Sequence, residues 1–431
     1  MALPRRILLV TLAALLSALT IELFSITWLW LSGRGIGLLG ELREARAYLL
    51  DPEAFPGPPS QSVPLQSPNA EVLHPYLGFV VDPSRRPGYT VHGLPASGKA
   101  EAPPGGAPFT VAVFGGSFAE GMVREAGGAI EDAVREEIGG GRGPVSVQAF
   151  AIGGYKQPQQ LLALAYFLSL GERFDVVVNL DGFNEVALPG AENGEMVFPF
   201  YPRGWPARVS NFIDPRKLSM VATLAKLDEE QKTLARRFSA FPISVSPTAN
   251  LVWRSLQRGL GSRRSHVSQE LDRLSGEQGS RLGYLAAGPG FHYGSDGELY
   301  DALAGGWMRA SLAMHQLAVS NGIPYLHFLQ PNQYVPGSKP LTAAERANAW
   351  LEDHPYRRGV EAGYPLLVRR GRELGARGVS FHDLSGIFRG SERSLYADTC
   401  CHVNAEGYAI VAAEIGREVA LALGRAPRHD P

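Results

Sequence analysis

The strongest constraint on folding is an alternation of short β-branched runs with helical patterns that begins at Phe109. Phe109 to Phe114 is apolar throughout and ends in Gly115-Gly116, as a buried strand does before a turn. From Ser117 the spacing predicts a helix through Ile138, with Ile130, Val134 and Ile138 repeating on one face. Val145 to Phe150 reads as a second strand, Gln159 to Leu170 as a helix, and Asp175 to Leu180 as a third strand. Ile323 to Leu329 supplies a fourth, Val379 to Phe381 a shorter fifth, and a closing helix from about Ala405 carries Val411, Ile415 and Val419 on one side. Strands separated by helices make parallel βαβ units, whose sheet is covered on both faces. The expected fold class is therefore α/β, a three-layer sandwich around a parallel sheet of about five strands. In such sheets ligands sit at the carboxyl ends of the strands.

A second constraint lies upstream. Ile7 to Leu31 is apolar or small except for Glu22 and a few Ser and Thr, and some 20 helical residues are enough to cross a bilayer core. A secretory signal has a shorter apolar stretch and a small-residue cleavage site, which this segment does not show convincingly. An uncleaved anchor over 1–34 is expected, with Trp28 and Trp30 near one interface. Arg5 and Arg6 favour a cytoplasmic N-terminus, which puts the main domain on the extracytoplasmic, periplasmic side of the inner membrane; Arg34, Arg43 and Arg46 pull the other way. Glu22 is the costly residue of the span. It either pairs with a partner helix or is protonated or near the lipid surface, and the second reading is preferred.

Between anchor and first strand, 35–107 reads as a juxtamembrane segment and extended tether. Pro52, Pro56, Pro58, Pro59, Pro64 and Pro68 resist helix and sheet, although His74 to Phe79 has the composition to dock on the main domain. The main domain is expected over 108–425, interrupted at 186–321 by an insertion in which Pro215 to Phe238 looks like a charged amphipathic helix. That helix reads as a solvated face, with a mobile cover over the site as the alternative. The last six residues, 426–431, are a tail.

Composition narrows the partners. With 41 basic against 42 acidic residues in 431, the net charge of −1 offers no field for a polyanion, so nucleic-acid binding is not expected. Cys400 and Cys401 are adjacent and cannot supply a zinc-ribbon spacing or a disulfide framework. The ten histidines show no HExxH, so neither a metal nor another cofactor is expected.

Three strand ends carry small or polar residues that a core does not need: Gly115 to Gly121, Gly153-Gly154-Tyr155 and Asp181-Gly182-Phe183-Asn184-Glu185. A serine at a strand-to-helix turn exposes its hydroxyl and aims its own N–H outward at the positive helix end, where an oxyanion is stabilised. Gly154 lets a second backbone N–H approach the same point, and the Asn184 amide offers a third donor. Near the C-terminus, Asp398 and His402 precede the last helix and bring a carboxylate and an imidazole as orienter and base. Singly, each has a plainer reading: a serine after a strand is usually a helix cap, and glycines after strands usually make turns.

In this order the blocks resemble the SGNH hydrolases, the GDSL-type esterases and lipases. Val113 to Gly121 is similar to the family's first block, which implies Ser117 as nucleophile. Ala149 to Tyr155 resembles the second and makes Gly154 the oxyanion glycine; Asp181 to Glu185 resembles the third and gives Asn184 the oxyanion amide. Asp398 to Gly407 resembles the last, implying His402 as base and Asp398 as acid. The resemblance covers roughly Phe109 to Glu185 and Ile323 to Leu423 and implies a flavodoxin-like sheet. Gly116 stands where the name motif has Asp, and Ala149 where many members have Asn. Three residues separate Asp398 from His402 where the family usually has two, so either the loop bulges or another carboxylate, with Asp383 the candidate, takes the role. Cys400 and Cys401 read as buried small hydrophobes, with a redox-sensitive vicinal pair as the alternative.

What the resemblance implies is a serine esterase acting on a carboxylic ester, small-molecule or glycan-linked, outside the cytoplasm. An O-acyltransferase on envelope glycans follows if a sugar hydroxyl replaces water as acceptor. The rival from another class is a catalytically silent module that binds glycans or proteins through the same cleft.

Overall fold

The computed structural model describes residues 3–31, 35, 37–51, 70–96, 108–138, 144–213, 215–277 and 284–425. The chain forms two compact units, Ala70–Val209 with Ser280–Pro431, and Met1–Asn69 with Ser210–Gly279. The prolines from Pro52 to Pro68 and the tail 426–431 lie outside the described residues.

The first unit is built on a five-stranded sheet. A short antiparallel hairpin, β1 (Glu71–His74) with β2 (Gly78–Val81), precedes it. The sheet strands are β3 (Phe109–Gly115), β4 (Val145–Ala151), β5 (Val176–Asp181), β6 (Tyr325–Leu329) and β7 (Ser380–Asp383), all parallel, in the order β4-β3-β5-β6-β7. This is the doubly wound order in which the second strand lies outside the first. Every residue of β3, β5 and β6 is buried, the pattern of strands covered on both faces. On one face, the helices Ser117–Ile138 and Ala405–Arg425 bring Phe118, Met122, Ile130 and Val134 against Val411, Ile415 and Val419. On the other, Gln159–Ser169, Asp296–Ser320 and Pro355–Ala376 contribute Leu164, Phe167, Trp307, Met314 and Leu367.

Two boundaries differ from the sequence reading. Residues 70–96, read as part of a tether, belong to this unit: Leu77, Phe79, Val80 and Leu94 are buried in the core, and the Tyr155 hydroxyl donates to the Phe79 carbonyl at 2.6 Å. Strands of four residues are too short to show a period, and the surrounding Gly and Pro hide them. The stretch 186–321 is not one insertion either. Its last part is the helix Asp296–Ser320, started by Ser295, whose Oγ accepts the Glu298 N–H at 3.3 Å. That helix buries Trp307 against the sheet, whereas 210–279 belongs to the other unit.

The second unit gathers the N-terminal helix Leu3–Leu31, the helix Gly37–Leu50 and a hairpin of two long helices, Pro215–Ser239 and Pro247–Glu277. Leu29, Leu38, Leu42, Ala45, Leu49, Ala235 and Trp253 form its core. Pro215–Ser239 is therefore a packed helix of a bundle, with Leu227 and Ala235 buried, and not simply a solvated face. Leu9–Leu31 is long and apolar enough to cross a membrane and is almost entirely exposed.

Candidate active site

Ser117 is the first residue of the helix that leaves β3, so its backbone N–H belongs to the first helical turn, whose donors have no partner within the helix. Its Oγ lies 2.8 Å from His402 Nε2. His402 Nδ1 lies 2.5 Å from Asp398 Oδ2. With the carboxylate on Nδ1, that nitrogen carries the ring proton and Nε2 accepts from the serine hydroxyl.

The added residue between Asp398 and His402 is absorbed by the carboxylate itself. Asp398 Oδ1 accepts the N–H groups of Cys400, Cys401 and His402 at 2.9, 3.0 and 3.1 Å, so the loop wraps around one oxygen and leaves the other for the imidazole. The Asn332–Tyr334 turn holds this loop from behind: Gln333 Nε2 donates to the Asp398 carbonyl at 2.9 Å, and Tyr334 Oη to that of Thr399 at 3.0 Å. Burial raises the Asp398 carboxyl, but the hydrogen bond and charge of His402, joined by the loop N–H groups, outweigh it and keep the pKa below the ordinary value. Asp383 ends β7 and accepts the Ser385 N–H at 2.9 Å; Asp398 is the carboxylate bonded to the ring.

Asn184 sits on the short helix Phe183–Leu188 after β5, where its Nδ2 donates to the Tyr155 carbonyl at 2.7 Å. Gly116, beside the serine, is required by this amide: a Cβ there would stand 2.2 Å from Asn184 Nδ2. Gly154 takes a φ of +85°, and a Cβ on it would meet Arg203 Cδ at 2.3 Å. Glu185 ties the two loops together, its Oε2 accepting the Gly182 N–H at 2.9 Å and its Oε1 the Gln157 N–H at 2.8 Å.

A cleft of about 580 Å³ opens over this group and is lined by Ser117, Asp398 and His402 together with Arg86, Tyr89 and Glu120. Gly153 also lines it, whereas Gly154 and Asn184 do not. The sequence reading missed Glu120, which lies one helical turn beyond Ser117. An acidic residue in a first turn reads as a complement to the helix dipole, so nothing marked it. Its Oε1 accepts from Tyr89 Oη at 2.9 Å, and burial pushes its pKa up while that bond, the nearby Arg124 and Arg86 charges and the Gly153 N–H oppose the rise.

The same three residue types recur deep in the core. Asp181 Oδ1 meets His327 Nε2 at 2.8 Å, and His327 Nδ1 meets Ser311 Oγ at 2.7 Å. Ser311 and His327 are 0% exposed and Asp181 2%, and Trp307 Nε1 also donates to Asp181 at 2.7 Å, so this series is a sealed polar network beneath the sheet end. Access, not residue type, separates the two.

The Sγ atoms of Cys400 and Cys401, both free thiols, lie 3.1 Å apart. With His402 they offer three potential metal donors within 4.8 Å of one another. Both ring nitrogens of His402 are already engaged by Asp398 and Ser117, so a metal here would have to break one of those bonds.

No family model matches the chain, and no curated protein does. Among solved structures, a GDSL-like lipase from Bacteroides thetaiotaomicron is similar over 73% of this chain and 89% of its own, with 13% sequence identity and a TM-score of 0.31. At that distance the likeness bears on neither site residues nor chemistry.

Proposed function

We propose that the chain is a serine esterase of the SGNH type, with Ser117 as nucleophile, His402 as general base and Asp398 as the carboxylate that fixes the ring. The observation that carries this reading is the unbroken series from Ser117 Oγ through His402 to Asp398, open to a cleft. As Ser117 attacks an ester carbonyl, its proton moves to His402 Nε2. The imidazolium formed is stabilised by Asp398 and then gives the proton to the leaving alcohol. Water, activated by the same nitrogen, releases the acid from the acyl-serine. A second acceptor alcohol in place of water would make the enzyme an O-acyltransferase.

The tetrahedral oxyanion requires donors. The N–H groups of Ser117 and Gly154 and the second proton of Asn184 Nδ2, whose first goes to Tyr155, are assigned to it. The close packing of that amide on Gly116 supports the assignment, because it keeps Nδ2 beside the nucleophile's own backbone. The cleft is rich in charged side chains, which suits a polar, carbohydrate-like alcohol portion better than a long acyl chain. The exposed apolar helix Leu9–Leu31 is read as an anchor, with Arg5 and Arg6 on the cytoplasmic side and the esterase outside.

The test uses the full chain in detergent, a fluorophosphonate and a short p-nitrophenyl ester. Covalent labelling at Ser117 is expected, with hydrolysis lost in Ser117→Ala and His402→Ala. Unchanged hydrolysis in both variants rejects the proposal, and glycan binding without labelling favours a silent module.

A further inference from the structure

Glu22 is the one ionisable residue between Leu9 and Leu31, and it is not left alone. Its carboxylate accepts from Ser246 Oγ and, at 3.2 Å, from the Thr248 N–H. Beside it, Ser25 Oγ and Thr248 Oγ1 are 2.8 Å apart, and Thr248 Oγ1 donates to the Ile21 carbonyl at 3.4 Å. These bonds clamp the turn between the two long helices, Pro215–Ser239 and Pro247–Glu277, onto the apolar helix at the level of Ile21 to Ser25.

That level lies well inside the apolar segment. About 20 residues fill a bilayer core, so wherever that core falls within the apolar run Ile7 to Leu31, Glu22 sits roughly four to nine residues from its C-terminal edge, about 6–14 Å deep at 1.5 Å per residue. The turn clamped to Glu22 must then enter the leaflet with it. Its composition agrees: from Ala240 to Trp253 no ionisable side chain occurs, while Arg236 and Arg237 precede the stretch and Arg254 and Arg258 follow it. Phe241 is 83% exposed, and Ile243 and Val245 at 42% and 50% extend the same apolar tip. Arg236, Arg237 and Arg258 are exposed behind this tip, whereas Arg254 is buried in the bundle and Arg43 Nε donates to the Ser244 carbonyl at 3.4 Å. An apolar tip backed by exposed arginines is the pattern of an element that sits in acyl chains with its cations toward the headgroups.

We propose that the 240–246 turn is a second membrane-inserted element, dipping into the leaflet that holds the C-terminal half of the apolar helix and supplying the hydrogen bonds that make Glu22 tolerable there. A polar residue within a bilayer is costly unless paired, and Ser246 with Thr248 provides the pairing inside one chain. This rests on the reading of Leu9–Leu31 as an anchor. Two attachments in one unit restrict rotation about the bilayer normal, which a lone helix allows.

The experiment places an environment-sensitive fluorophore at single cysteines of the full chain, with Cys400→Ser and Cys401→Ser, in phosphatidylcholine/phosphatidylglycerol vesicles. The sites are Leu16→Cys in the apolar helix, Phe241→Cys and, as a second reporter of the turn, Val245→Cys. Leu218→Cys, roughly 35 Å from Phe241 along its helix, is the aqueous control. Spin-labelled lipids are expected to quench positions 16, 241 and 245 at least twofold, and aqueous iodide only position 218. Quenching at 16 with both 241 and 245 reached only by iodide overturns the inserted turn. Absence of lipid quenching at 16 removes the anchor and the turn together.

Discussion

Ser117 Oγ and His402 Nε2 are 2.8 Å apart across a chain separation of 285 positions. The contact depends on the doubly wound sheet: β3 delivers the serine at its carboxyl end, and the loop before the last helix returns to the same end. Nothing local to either residue makes it.

Asp398 and Asp383 can be separated by function. Asp398→Asn leaves the loop N–H groups an oxygen acceptor but no longer fixes the ring proton on Nδ1, and a loss on the order of 10⁴-fold in kcat is expected. Asp383→Asn should retain activity close to the parent. Steady-state hydrolysis of a p-nitrophenyl ester checks both, and equal losses would take the orienting role away from Asp398.

Gly116 and Asn184 form a coupled pair. A methyl group at 116 would stand 2.2 Å from Asn184 Nδ2, so Gly116→Ala is expected to displace the amide and cost about 10²- to 10³-fold in kcat, as Asn184→Ala does. The double variant should be little worse than either single one. Additive losses would show that the two act independently.

Glu185 makes stability pH-dependent. Burial first, then the charge of Asp181, pushes its pKa up to about 8 from an ordinary 4.5. The folded state thus holds a proton that the unfolded state gives up, so this contribution is complete below pH 4.5 and is lost as pH rises through 8. Lys156, brought down to about 7 by burial, adds an opposing slope only above that pH. Other groups titrate in the same window, His74, His315, His354 and His382 with lowered pKa values and Glu120 with a raised one, so the difference between parent and variant is the readout. Between pH 5 and 7 the Tm of the parent should fall relative to that of Glu185→Gln, and parallel curves would contradict the assignment.

Cys401 should be inert. It is 1% exposed, and burial holds its thiol well above the ordinary pKa. Iodoacetamide at pH 8 is expected to leave Cys401 unmodified in the folded protein and to alkylate it after denaturation, as peptide mass spectrometry would show.

β3, β5 and β6 were legible because strands buried on both faces are written as continuous apolar runs, whereas β4 is interrupted by Ser146 and Gln148 and the partly exposed β7 showed only as the short run Val379 to Phe381. Ser117 and Asn184 stood out as polar residues just after strands, where packing does not call for them, and Asp398 and His402 by their place just before the last helix, in an order of blocks that resembles the SGNH motifs. The β1–β2 hairpin was not legible, since four-residue strands among glycines and prolines carry no period. Nor was the partner of Glu22: Ser246 is an ordinary helix-start residue until the fold brings it across 224 positions. Glu120 was hidden by its role as a dipole complement, and Tyr89, which donates to it, by the tether-like composition around it.

The burial of Leu77 and Phe79 has a practical consequence. A truncated protein that starts at Phe109, the first strand of the sheet, would present an unfilled apolar slot to solvent and lose Tyr89 from the cleft wall. A fragment for enzymology therefore has to begin at or before Ala70, and one that begins there still strips Ala235 and Trp253 of Leu29, Leu38, Leu42 and Leu49, so the whole chain is the safer starting material.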